Sequence, residues 1–171
     1  CIEADNNGDD NDALPRSNPT ISNLTCAGAS TGGDAGFRLR EGTSAKISNA
    51  VMSAHSAYCL DIDQSATFAN AGGSIVGLNG NLTLTNTRLV TGCPFSASEG
   101  DTFSVEDFFS AQSGSSLGEV DLMGASGWMN GPVLNAIAPL IPADSFFDQV
   151  DYIGAVKDSS SDWTAGWTYS D

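Results

Sequence analysis

The densest chemistry in this chain lies in two matched segments, Phe37-Arg38-Leu39-Arg40 and, 23 residues on, Leu60-Asp61-Ile62-Asp63. Charged and apolar residues alternate in both, so an extended strand puts both charges on one face and both apolar side chains on the other. Two carboxylates on one face, Asp61 and Asp63, are hard ligands for a divalent cation. A cation held there would acidify a bound carbon acid, and Arg38 or Arg40 would take the proton. The same four residues also make a plain charge ladder, with Arg38 facing Asp61 and Arg40 facing Asp63. Such a ladder fixes the register of neighbouring strands and contributes under about 1 kcal/mol per exposed pair. The charges are already matched, which favours the ladder.

Asp5, Asn7, Asp9, Asp10 and Asp12 place oxygen ligands at near-alternate positions around Gly8, as calcium loops do. No glutamate stands at the twelfth position counted from Asp5, so the alternative is a solvated acidic turn. Hydrolysis by clustered aspartates would need a third partner for Asp61 and Asp63, and none is evident in a neighbouring segment. His55 is the single histidine, which fits a turn residue better than a catalyst or a zinc ligand. Trp128, Trp163 and Trp167 are candidate platforms for sugar rings, set against burial of the last two in a terminal cap. Asn23-Leu24-Thr25 and Asn81-Leu82-Thr83 match the glycosylation sequon, with Asn81 the more accessible of the two. Nucleophile-elbow, phosphate-loop and dinucleotide motifs are absent.

These side chains need a scaffold, and three near-identical stretches supply it: Thr20 to Thr25, Lys46 to Val51, and Thr83 to Arg88. Each is a short strand that buries an aliphatic residue, shows a hydroxyl and turns at an asparagine, making Asn23, Asn49 and Asn86 equivalent. Repeats of this length predict coils stacked at the strand spacing of about 4.8 Å. Phe37 then stacks on Leu60 and Leu39 on Ile62, while the asparagines form an internal ladder. Four cysteines allow three pairings, and the coil spacing favours Cys1–Cys26 and Cys59–Cys93. Glu41 to Ser44 and Gln64 to Thr67 are turns at the same place in successive coils. Residues 69–81 form an insertion with an extra strand at Ser74-Ile75-Val76 and a turn at Asn79-Gly80. After Pro94 the alternation weakens. One more strand is expected at Glu119 to Leu122 and one helical turn at Val133 to Ala138. The apolar stretch from Ser145 to Val156, with Trp163 to Thr168, is expected to close the open end of the stack. The chain thus divides into coils over 1–93, with the acidic loop at 3–19, and an irregular wrapping segment and cap over 94–171.

Composition sets the compartment. The 171 residues carry 21 acidic and 6 basic side chains, a formal charge of −15, yet only 16% of the chain is charged. The rest of the surface must be Ser, Thr, Asn and Gly, which suits an extracellular or bacterial cell-surface β-protein. This balance repels nucleic acid and anionic membranes, and leaves cations, cationic partners or neutral glycans. No apolar run approaches the roughly 18 residues of a membrane span. Cys1 is better placed as a repeat residue than as a lipid anchor.

The segments Phe146 to Ala155 and Trp163 to Thr168 resemble the C-terminal end of secreted bacterial right-handed parallel β-helix proteins. Asn18 to Thr25 and Phe37 to Thr43 are similar to their upstream coils, and the resemblance covers most of 18–67 and 145–168. It implies a C-terminal portion of a longer protein and brings no known reaction. Parallel β-helices also host pectate lyases, which pair acidic calcium ligands with a basic residue on an outer face, the types present at Arg38, Arg40, Asp61 and Asp63. The expectation is therefore all-β: a short right-handed parallel β-helix of about three coils with an irregular C-terminal cap. Its function is expected to be structural or adhesive, with calcium as a stabiliser and self-association through an uncapped first coil. The alternatives are a lyase or hydrolase on an acidic glycan, or a carbohydrate-binding module.

Overall fold

The computed structural model describes residues 1–28, 31–55, 57–72, 81–97, 101–124 and 127–167. The strand expected at Ser74 to Val76 and the turn at Asn79-Gly80 lie outside the described residues. Three parallel sheets are built by successive passes of the chain, each pass laying one strand on each sheet in turn. The first pass supplies β1 (Ile2–Ala4), β2 (Thr20–Ser22) and β3 (Thr25–Cys26), and the second β4 (Ala35–Leu39), β5 (Lys46–Ser48) and β6 (Val51–Met52). The third gives β7 (Tyr58–Ile62), then a helix α1 (Ser65–Asn70), then β8 (Thr83–Thr85) and β9 (Arg88–Val90). The sheets run β1-β4-β7, β2-β5-β8 and β3-β6-β9-β10, the last strand being Ser116–Gly118. Every pairing among these strands is parallel.

The expected register is observed: Phe37 pairs with Leu60, Arg38 with Asp61 and Leu39 with Ile62, while Ile21, Ile47 and Leu84 form one column. Phe37, Leu39, Ile47, Met52, Leu60, Ile62, Leu84 and Leu89 are fully buried between the sheets. At the corner after the second sheet Asn23, Asn49 and Asn86 all have positive φ, between 49° and 57°. Asparagine tolerates that left-handed turn, and its amide can then bond to the copy one coil away. Asn86 Nδ2 donates to Asn49 Oδ1 at 2.8 Å, and Asn49 Nδ2 to Asn23 Oδ1 at 3.3 Å. The corner after the first sheet repeats the device at Glu41 and Gln64, with φ of 54° and 64°. In the third pass this turn runs on into α1, which buries Thr67 and Phe68.

The stack continues beyond Cys93. Phe95 bridges Leu60 in the first sheet, a helix α2 (Val105–Ala111) follows and packs by β7, and β10 pairs with β9 in the third. The added strand is thus Ser116–Gly118, a few residues before the expected Glu119 to Leu122, because it must sit in register on Arg88 to Val90. The second short pair is antiparallel, β11 (Leu122–Met123) with β12 (Met129–Asn130), and one turn of helix, α3 (Pro132–Asn135), follows with Pro132 in its first turn.

Helix α2 closes this end of the core. It places Val105, Phe108 and Phe109 inward, and Phe103 stands 4.9 Å from Phe68 and 6.0 Å from Phe108, ring centre to ring centre. Gln112 Oε1 accepts from Leu84 N–H at 3.0 Å and Ser115 Oγ donates to Leu84 O at 2.7 Å, so side chains satisfy the edge of β8 where no strand follows.

The C-terminal tail does something else. It was expected across the open end, but it runs along the flank of the stack. Asn86 Nδ2 donates to Ala138 O, Asn49 Nδ2 to Leu140 O, and Asn23 Nδ2 to both Tyr152 O and Gly154 O. The asparagine ladder therefore has an inner use, along the stack, and an outer one, as a docking rail. Val51, on the outer face of the third sheet, is buried with Leu134 and Ile153. At Gly154 (φ +76°) an added Cβ would fall 2.8 Å from Thr25 Oγ1, so glycine is required for this approach.

Candidate functional site

The arginine-aspartate face keeps half of its expected pairing. Arg38 Nε donates to Asp61 Oδ2 at 3.1 Å and Nη2 to Asp34 Oδ1 at 2.9 Å. Arg40 does not meet Asp63. It turns to the first pass, where Nε donates to Asp5 Oδ1 at 3.0 Å and Nη2 to Glu3 Oε1 at 2.5 Å. Two carboxylates there outweigh one on the other side, and Asp63 Oδ1 accepts instead from the Gln64 backbone N–H at 2.8 Å. The hydrogen bond that Arg38 donates to Asp61 raises the pKa of Arg38, and the one that Arg40 donates to Asp5 raises the pKa of Arg40. Each guanidinium thus holds its proton more tightly than a free one, leaving less of the neutral form that a general base requires. A cleft of about 260 Å³ beside Arg38 is lined by Cys1, Ile2, Glu3, Asp34 and Ala35.

The acidic loop is wired to itself. Asp5 is bound by Arg40, and Asp12 accepts from Arg16 Nη2 at 2.7 Å. Asn7 Oδ1 accepts from the backbone of Asp9 and Asp10, and Asp10 Oδ1 from that of Asp12. Among the described residues no three carboxylates bring their oxygens within 4.8 Å of one another. Cys1, Cys26 and His55 form the group that does converge to that limit. Its two sulfurs are bonded to each other, because Cys1–Cys26 and Cys59–Cys93 are both disulfides, with Cα atoms 6.1 and 5.6 Å apart. His55 Nε2 lies 3.3 Å from Cys26 Sγ, and burial lowers the imidazole pKa.

The tryptophans part company. Trp163 and Trp167 were expected to be buried in the cap, yet they are 65% and 88% exposed. A tail laid along the flank has one face to the stack and one to solvent, and both rings fall on the solvent side. Trp163 is nonetheless fixed, since its Nε1 donates to Ala155 O at 2.7 Å. Beside it a groove of about 390 Å³ is lined by Asn23, Leu24, Thr25, Trp128, Ala155, Val156 and Thr164. A second groove of about 290 Å³, sharing Asn23, Ala155 and Trp163 with the first, is lined also by Ser22, Phe147, Asp148, Val150 and Tyr152. Trp163 borders both. Trp128, half-buried, has its indole N–H buried without an acceptor among the described residues. Sequence reasoning had no access to Leu24, Thr25, Phe147, Tyr152 or Ala155 as site residues. They meet because Ala155 N–H donates to Thr25 Oγ1 at 2.8 Å across 130 residues of chain. Asn81 is exposed, whereas the Asn23 amide is committed to the tail.

No described helix is long and apolar enough to cross a membrane. The family described as "Pectate-lyase like beta helix domain" matches residues 1–133. No curated protein and no solved structure matches the chain. With the match covering all three passes, α2 and β10, the chain belongs to the pectate-lyase-like β-helix family.

Proposed function

We propose that the chain is a non-catalytic extracellular module in which a right-handed β-helix carries a glycan-adhesive surface centred on Trp163. The observation that carries this is an exposed indole, locked by its own N–H to Ala155 O, bordering two grooves. Aromatic platforms that stack on sugars need such a ring, apolar on its face and held at its polar edge. The competing reading, elimination from an acidic glycan, would use Arg38 or Arg40 as base. Both are tied to carboxylates that strengthen their hold on the proton, and their charges are already matched. The two disulfides support an extracellular setting.

Affinity electrophoresis through gels carrying different glycans tests the reading. The wild-type chain is retarded by at least one glycan, Trp163→Ala with unchanged circular dichroism is not, and neither releases unsaturated product. Release of such product, lost on Arg38→Ala, would overturn it.

A further inference from the structure

The chemistry around Trp163 goes further and specifies the ligand class. Resting on the glycan-adhesive reading above, we infer that the ligand is an uncharged glycan laid across Trp163 into both grooves. It is not the polyanion that an arginine-aspartate face would suggest.

The larger groove has no ionisable side chain among its lining residues, and the smaller has one carboxylate, Asp148, and the phenol of Tyr152. None of the six basic side chains of the chain borders either groove. The nearest along the chain, Lys157, is held by Asp151 Oδ2 at 2.7 Å. The tail that builds the site is itself acidic. Asp158 accepts from the hydroxyls and backbone of Ser160 and Ser161, which hold its carboxyl down to about 2, and Asp162 accepts from Thr164. Asp158 stays charged at neutral pH, and the whole chain has a formal charge of −15. A polyuronate carries one negative charge per sugar and would meet the Asp148 carboxylate and the net negative charge of the chain, with no basic side chain lining either groove to offset them. An uncharged glycan meets no such repulsion. Its C–H faces stack on the indole, and its hydroxyls find the phenol of Tyr152 on the wall of the smaller groove. The grooves, at about 290 and 390 Å³, are at the small end of ligand sites, which start near 300 Å³, and fit individual sugar rings rather than a compact ligand.

The test runs the full chain on affinity gels of an uncharged β-glucan, an uncharged mannan and polygalacturonate, each at low and high salt, with calcium or with chelator. The expected result is retardation by at least one uncharged glycan, insensitive to salt and chelator, lost in Trp163→Ala and kept in Arg38→Ala. Polygalacturonate should leave mobility unchanged. Retardation by polygalacturonate, alone or bridged by calcium, overturns this inference while glycan adhesion stands. Retardation by an uncharged glycan that survives Trp163→Ala also overturns it, by moving the site elsewhere. Failure of all three glycans to retard the chain overturns glycan adhesion itself.

Discussion

Asn49 shows how one side chain can serve two structures at once. Its amide bridges Asn23 and Asn86 within the ladder while it holds both the N–H and the carbonyl of Leu140 at 2.7 Å. It is buried and stands at φ +53°. Asn49→Ala would strand several buried polar groups and put in the left-handed region a residue that tolerates it less well than asparagine, at a cost of about 3 kcal/mol or more. Asn49→Gly loses the same bonds without the steric penalty and should fall short of Ala's loss by about 1 kcal/mol. Urea denaturation of the two variants measures the difference. Asp158 offers a pH test at the same scale. Its folded carboxyl sits at about 2 because hydrogen bonds from Ser160 and Ser161 favour the charged form. Because the folded value is depressed, that support is complete above the ordinary carboxylate range and is lost as pH falls toward 2. Carboxyl NMR should place its midpoint near 2, and Ser160→Ala with Ser161→Ala should move it up toward the ordinary value. The disulfides and the Arg38–Asp61 pair were legible in the sequence because stacking places residues one coil apart in contact. Arg40 was not, since the carboxylates of Glu3 and Asp5 lie below it at a place that coil spacing alone does not mark.

Among the elements, α2 decides whether the stack ends cleanly. Phe108 is fully buried over the last complete coil, so Phe108→Ala should cost about 3–5 kcal/mol in denaturant titration. Ser104 Oγ accepts from Asp107 N–H at 3.0 Å as the helix cap, and Ser104→Ala should cost about 1 kcal/mol. The helix had a signal in Val105, Phe108 and Phe109, spaced to share one face behind a capping serine. Seven residues between Ser- and Gly-rich flanks are too few for periodicity to stand out. Helix α1 was hidden differently: it opens at Gln64, which repeats the turn at Glu41, and equivalence with that turn pointed to a short connection. The strands were legible because each repeat restates the same inward aliphatic residue and the same asparagine corner. Opening Cys59–Cys93, which closes a 34-residue loop, should cost about 3–4 kcal/mol, read as a lower denaturation midpoint under reduction.

At the scale of the whole molecule the two ends of the stack differ. Phe108, Phe109 and Gln112 seal one end. At the other, Ile2, Ile21 and Leu24 are only partly covered, although their counterparts Phe37 and Ile47 in the next pass are fully buried. Head-to-tail growth needs both ends open, and here α2 would have to leave. Light scattering of this chain should therefore show no filaments, and filaments would contradict a stack that α2 seals at one end. The flank was the least legible part of the molecule. Ladder, tail and Trp163 meet through contacts that join Asn23 and Thr25 to residues about 130 positions away, and no local pattern encodes such a meeting. The arginine-aspartate face, by contrast, is one that local pattern does encode, down to the pairing of Arg38 with Asp61. The measurement that separates these two surfaces is titration calorimetry of an uncharged oligosaccharide, taken from a glycan that retards the chain, into wild type, Trp163→Ala and Arg38→Ala side by side. Affinity should fall at least tenfold in Trp163→Ala and stay within twofold of wild type in Arg38→Ala, a loss of about 1.4 kcal/mol or more against one near zero. Loss in Arg38→Ala with binding intact in Trp163→Ala would contradict it and return the function to the charged face.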